Sequence, residues 1–575
     1  MLKIYRNLKE HIFSVIAVIV LVFGQVMSDL YLPTVMSNVV NNGIMKEDIN
    51  YIWREGGYML FISGLGVICA ILASLIGSRM AMSLGTSLRN QIFTKVESFS
   101  LHEFDKFGAS TLITRTTNDI IQIQNVTILI INMLLRAPLM CIGGVIQAMS
   151  KDKTLTLILL VSLPFVALLI FLIAKYVIPI FKQIQSKIDK LNLIMRENLT
   201  GIRVIRAFNR EAHQNEKFEK ANTDLTQTYI RVNRIMAFLM PVIMLIMNLM
   251  LTALLWFGSI RVDTNELNIG NLFAFTQYAI QIMFSLVIVA VMFILIPRSE
   301  AAADRINAVL ETEPEITETK TPVRATSQKG MVEFRNVTFR YHGAEQPALK
   351  NISFTAKPGE TVAIIGGTGS GKTTLVNLIP RFYDVESGEI LIDGVNVNQM
   401  TQEELRKKIG FVPQKALLFT GTIAENLRYG DDTADMDRIK HAAEIAQAAE
   451  FIEKMEDKYD TVLYEGGLNL SGGQKQRLSI ARALTRKAEI YVFDDSFSAL
   501  DFKTDAKLRA ALKKETKDST VIIVAQRVGS VMDADKIIVL DDGEIAGIGT
   551  HRELLNTCEV YREIVSSQLS EEELA

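Results

Sequence analysis

The chain has 575 residues, too many for one hydrophobic core, so two or more domains are expected. Its formal net charge of −2 argues against a general nucleic-acid binder, whose phosphate contacts need a basic surface. Hydrophobic residues make up 49% and mean hydropathy is +0.23, high for a soluble protein. Three scattered cysteines (Cys69, Cys141, Cys558) have no CxxC spacing and read as reduced and structural.

From the N-terminus, six apolar runs lie at about 12–32, 57–79, 127–149, 155–176, 236–258 and 272–296. Each has about 20 residues or more, enough to cross a hydrocarbon core of about 30 Å. The first has no small-residue cleavage site and reads as a retained span. Links are short after runs one, three and five. The links after runs two and four are long, polar and basic, the latter carrying Lys182, Lys187, Lys190, Arg196, Arg203, Arg206 and Arg210. Positive charge marks the cytoplasmic side, so the long links and both termini are expected inside.

Two features within the spans bear on cargo. Met236, Met240, Met244, Met247 and Met250 recur at spacings of four, four, three and three, one face of a helix. Flexible thioethers suit a wall that fits dissimilar apolar ligands, and they suit helix packing or lipid contact equally well. Arg136 stands inside the third run, where a charge is costly. It is either part of a substrate path or the partner of a neighbouring helix.

Composition shifts at Glu311-Thr-Glu-Pro-Glu-Ile-Thr-Glu-Thr-Lys-Thr-Pro322, a polar, proline-bearing stretch. The domains are expected to be 1–310 in the membrane, a linker over 311–330, and 331–575 outside it. Beyond Met331, short β-branched runs alternate with helical patterns, which predicts an α/β domain. A strand at Thr361–Ile365 leads directly into Gly366-Gly-Thr-Gly-Ser-Gly-Lys-Thr373, the phosphate-cradling G-x-x-x-x-G-K-[ST] loop. Backbone N–H groups of Gly366, Gly367, Thr368, Gly369, Ser370 and Gly371 would face phosphate oxygens. Lys372 would reach the β- and γ-phosphates of ATP, with Thr373 on Mg²⁺ and Thr374 next to it. A second strand, Ile490–Phe493, ends in Asp494, the Mg²⁺-associated carboxylate, and Asp495, where a base would orient water. Between them Leu470, Ser471, Gly472, Gly473 and Gln474 precede a helix expected at Lys475–Leu484. That is a second anion-binding surface, which makes sense if it caps a nucleotide held by another subunit.

With these motifs the sequence resembles an ATP-binding-cassette exporter over its whole length. Further segments carry the likeness: Phe411-Val-Pro-Gln414, Ser498-Ala-Leu-Asp501, Tyr341, and Glu197-Asn-Leu-Thr-Gly-Ile-Arg-Val-Ile-Arg-Ala-Phe208. The resemblance implies that Tyr341 stacks on adenine and that Gln414 contacts Mg²⁺ or water. It implies that residues 197–208 form a coupling segment, and that two chains sandwich two ATP molecules between P-loops and signatures. The stretch Asp29–Ser37 resembles heterodimeric bacterial multidrug exporters. Hydrolytically competent relatives place glutamate after the Mg²⁺ aspartate and histidine after the last core strand. Here stand Asp495 and Gln526. Tyr464 and Gly466 also depart from the family where it often has Gly and Arg.

Aspartate is one methylene shorter, pulling its carboxylate back by about 1.5 Å. Misplacement by about 1 Å can cost about a hundredfold in rate. Glutamine donates an amide hydrogen but carries neither positive charge nor a shuttled proton. The expectation is a half-transporter in the cell membrane with a cytoplasmic ATPase domain, paired with a homologous half-transporter. It would export hydrophobic or amphipathic, drug- or lipid-like compounds and hold one degenerate ATP site. A slow homodimer, or an ATP-binding membrane regulator that does not pump, are the alternatives.

Overall fold

A computed structural model describes residues 2–319, 321–323 and 329–568, so six positions of the 311–330 stretch (320 and 324–328) lie outside the described residues. Two compact units emerge, Met1–Glu97 with Phe107–Thr312, and Ser98–Lys106 with Glu313–Ala575. Each is built on its own core.

The first unit is helical. Its long elements are α1 (Ile12–Asn38), α2 (Ile49–Glu97), a helical span Ala109–Lys151 interrupted by two π turns, α3 (Lys153–Thr200), α4 (Glu211–Asp263) and α5 (Ile269–Leu310). Each contains a stretch long and apolar enough to cross a membrane. A helix satisfies every backbone N–H and C=O within the segment itself, without water. The turn into α3 is set by Asp152, whose side chain caps Leu155 N at 2.8 Å while Arg261 Nε donates to its other oxygen at 2.9 Å. Small residues let the helices approach: a Cβ at Gly144 would stand 2.7 Å from Ile282 Cγ1. The π turn Arg115–Asp119 is held to α5 by a two-pronged pair, Arg305 Nε and Nη2 on buried Asp119 at 2.8 and 2.6 Å.

The second unit is α/β. Strands β1 (Val332–Phe339), β2 (Leu349–Ala356), β3 (Thr361–Gly366), β4 (Ser387–Ile392), β5 (Val395–Asn396), β6 (Ile409–Val412), β7 (Ile490–Asp494), β8 (Thr520–Val524), β9 (Lys536–Asp541) and β10 (Glu544–Gly549) form two sheets. One is antiparallel in the order β2-β1-β4-β5. The other runs β10-β9-β3-β8-β7-β6 and is parallel except for β10. All five residues of β7 and of β8 are buried, as expected of central parallel strands covered on both faces. The two cores lie on either side of this sheet: Val362 and Ile364 point into one, Ala363 and Ile365 into the other.

Candidate functional site

Register decides which side chains meet. In the parallel sheet Ile364 lies beside Val524, Val524 beside Asp494, and Val412 beside Phe493. The residues following β3, β6, β7 and β8 therefore emerge along one carboxyl edge, the usual place for a ligand in such sheets. That edge carries Gly366–Thr373, Gln414, Asp494 with Asp495, and Gln526.

The loop after β3 needs its glycines for stated reasons. Gly371 has φ of 98°, and a Cβ there would stand 2.8 Å from Leu349 Cδ2 and 2.9 Å from Ala348 O. From that residue the helix Lys372–Leu378 begins. Lys372 is buried, with Nζ donating to Gly366 O at 2.8 Å and Gly367 O at 2.5 Å. Burial lowers its pKa, against the opposing pull of the Asp495 and Asp494 charges. Thr373 Oγ1 donates to Asp494 Oδ1 at 3.1 Å. Burial raises the Asp494 pKa, and the neighbouring Asp495 charge adds to it. A hydroxyl and a buried carboxylate at hydrogen-bond distance are hard oxygen donors of the kind Mg²⁺ takes, and a cation would relieve the paired acids. These two residues fit the ion. Thr374 Oγ1 lies 3.0 Å from the Tyr341 hydroxyl, and Tyr341 meets Tyr383 edge-on with ring centroids 5.4 Å apart. Tyr383 has no role legible in sequence. Burial, chiefly, pushes its pKa up to about 12.

Asp495 is the hub of the edge. Its backbone is left-handed, φ 46°, a conformation aspartate tolerates better than longer side chains. One oxygen, Oδ2, accepts from Gln526 Nε2 at 3.1 Å and from Gln414 Nε2 at 3.3 Å. The Asp495 N–H donates to Val524 O and its carbonyl accepts from Ser498 Oγ. Burial raises its pKa against the effect of the Gln414 hydrogen bond. The Gln526 loop is itself tied down by Gln568, which donates to Gln526 O at 2.8 Å and accepts from Val528 N at 2.9 Å. Nothing in the spacing of Gln568 signals that contact.

The Leu470–Gln474 segment departs from the expected boundary. Its helix spans Gly472–Thr485 and begins inside the motif, three residues before the expected Lys475. The reason is a capping box: Ser471 Oγ accepts from Gln474 N at 3.3 Å, and Gln474 Oε1 accepts from Ser471 N at 2.8 Å. Ser471 and Gly472 remain exposed at that helix start, and Leu470 is buried.

In the helical unit, Arg136 Nη2 donates to Asp29 Oδ2 of α1 at 2.8 Å. The methionine face divides. Met240 and Met244 are exposed, Met236 and Met247 half-buried, and Met250 buried with its sulfur 3.2 Å from Ser162 Oγ of α3.

Residues 15–286 match the family model described as the ABC transporter transmembrane region, and residues 349–498 match the one described as ABC transporter. An uncharacterized ABC transporter ATP-binding protein of Mycobacterium tuberculosis is 43% identical over 546 residues, 94% of each chain. The chain belongs to the ABC transporter family. An ATP-dependent lipid A-core flippase of Syntrophus aciditrophicus is 32% identical over 514 residues, covering 89% of this chain and 85% of the flippase. Among solved structures, a bacterial Atm1-family ABC exporter with ATP bound superposes with a TM-score of 0.82 over 98% of this chain and 99% of that one, at 24% identity. The transporter is therefore a multi-pass membrane protein of exporter fold with a cytoplasmic nucleotide-binding domain, an ATPase coupled to transport.

Proposed function

We propose that this transporter is one half of a heterodimeric exporter of hydrophobic or amphipathic compounds, and that its own ATP site turns over slowly. The observation that carries this reading is the Asp495 carboxylate. It is one methylene short, and one of its two oxygens, Oδ2, already accepts two amides, from Gln414 and Gln526. A base must reach the proton it takes to within about 3 Å. Gln526, standing where competent relatives place an imidazole, donates an amide hydrogen but cannot carry a proton.

Nucleotide binding is the capacity this chain retains. Tyr341 would stack on adenine; Gly366, Gly367, Thr368, Gly369, Ser370 and Gly371 would turn N–H groups to the phosphates; Lys372 would neutralise them, with Thr374 bracing Tyr341. Thr373, Asp494 and Gln414 would hold Mg²⁺, which supplies charge neutralisation across the phosphates. Leu470, Ser471, Gly472, Gly473 and Gln474 would cap the ATP held by the partner's P-loop, where hydrolysis mainly occurs. ATP binding would close the two nucleotide domains, and hydrolysis at the partner's site would reset the membrane halves. The likeness to a lipid A-core flippase supports an amphipathic, lipid-like cargo. Met240, Met244 and Met247, with Arg136, are the candidate wall of its path.

The test compares two variants of the purified complex at saturating MgATP. Ser471→Phe obstructs the partner's competent site and should nearly abolish hydrolysis, whereas Asp495→Ala should leave a substantial fraction. Asp495→Asn is the shape-preserving control. Equal inactivity of Asp495→Ala and Ser471→Phe would instead mean a homodimer with two aspartate-based sites. Transport into inverted vesicles that persists in Lys372→Ala would remove the pumping role.

A further inference from the structure

We propose that His102, Glu103 and Glu315 form a binding site for a divalent ion of the zinc class, with the His342 ring packed against His102 beside it. All four residues belong to the nucleotide-binding unit, because Ser98–Lys106 groups with Glu313–Ala575. His102 and Glu103 lie on the short helix Leu101–Phe107, Glu315 on the chain entering the α/β domain, and His342 beside Tyr341. One ligand atom from each of His102, Glu103 and Glu315 lies within 4.8 Å of the other two. Zinc holds nitrogen and carboxylate oxygen at about 2.0–2.2 Å, which in a tetrahedron sets neighbouring ligand atoms about 3.4 Å apart. Glu315 is exposed, so its side chain is free to make that small closure.

Three features make this more than a chance meeting of acids. First, Glu103 is buried and pre-oriented. Its Oε2 accepts from Ser100 N at 2.7 Å and Ser100 Oγ at 2.5 Å, and its Oε1 accepts from Glu315 N at 3.1 Å. That last bond brings the backbone of one ligand residue to the carboxylate of another, and such outer contacts orient metal ligands. Second, among the described residues neither Glu103 nor Glu315 forms a salt bridge with a lysine or arginine, so two carboxylates share one small region with no fixed cation. Third, the His342 ring meets the His102 ring with centroids 4.6 Å apart and planes tilted by 53°. That contact packs a second imidazole against the ligand ring, outside the group of three whose ligand atoms lie together. Imidazole with carboxylate selects zinc, and its first-row neighbours in the affinity order, over Mg²⁺ or Ca²⁺.

An ion here would tie two separate segments together, and through the His342 ring packed on His102 it would act on Tyr341, the residue next to His342 in the chain. The test is zinc competition against a chromophoric chelator, using the assembled, untagged full-length protein in detergent. The expected result is one zinc per chain, with His102→Ala and Glu315→Gln each weakening uptake tenfold or more. His441→Ala, a histidine paired with Glu515 elsewhere, should bind as the wild type does. If His102→Ala fails to assemble, Glu315→Gln decides alone, since that side chain is exposed and the change keeps its shape. Failure of the wild-type protein to take zinc from the chelator overturns the proposal, as does wild-type affinity in the Glu315→Gln protein.

Discussion

The Asp29–Arg136 pair joins α1 to the span Ala109–Lys151, and its worth can be measured by breaking it from each side. Asp29→Asn leaves Arg136 charged without its partner, and Arg136→Gln leaves Asp29 so. An unpaired charge at the centre of a span costs about 2.5–3.5 kcal/mol on insertion scales, and less for Asp29, which stands near the end of its apolar run. The Arg136 and Asp29 side chains are 40% and 29% exposed in the chain, so part of that cost is relieved by reorientation. We expect each single change to destabilise by about 1–2 kcal/mol after that discount. The double variant Asp29→Asn/Arg136→Gln removes both charges and keeps two groups able to hydrogen-bond, so it should return to within about 0.5 kcal/mol of wild type. The resulting coupling of about 1.5 kcal/mol or more would exceed the average of about 0.6 kcal/mol for polar contacts between membrane helices. The assay is unfolding of the four proteins in lipid nanodiscs under one protocol. Losses that simply add in the double variant would refute the pairing as a source of stability.

Gly371→Ala should weaken binding of a fluorescent ATP analogue tenfold or more, because the left-handed φ and the Leu349 and Ala348 contacts leave no room for a methyl group. Wild-type affinity in that variant would mean the loop repacks freely. Met250→Ala should destabilise the membrane unit by about 2–4 kcal/mol, as loss of a buried core side chain does, whereas Met240→Ala should leave thermal stability unchanged and alter transport of several hydrophobic compounds unequally. Cysteines introduced between Lys182 and Arg234 should resist an impermeant thiol reagent in intact cells, and those between Lys46 and Arg54 should react. Strong labelling of the former would invert the topology.

The membrane spans were legible in the sequence because apolar length is a local property, and a continuous apolar run of about 20 residues has the length of a helix that crosses the bilayer. The P-loop was legible for a related reason: strand, glycine turn and helix are contiguous, so one window of residues carries the whole geometry. The start of the helix after Leu470 was not. Two glycines lower helix propensity, and only the reciprocal Ser471–Gln474 bonds show that the turn forms there.

What sequence alone determined about this protein is thus its class: six spans, an α/β nucleotide domain, and an aspartate at 495 with a glutamine at 526. Tertiary structure alone decided which of those residues touch. Asp495, Gln414 and Gln526 stand up to 112 positions apart along the chain but share one edge because β6, β7 and β8 are parallel and in register. Arg136 acquired Asp29, Tyr341 acquired Thr374 and Tyr383, and His102 joined the nucleotide unit by the same cause. Strand order and helix packing are set by the burial of whole faces, a sum over many residues, and no single stretch of sequence records where that sum will bring two distant side chains together.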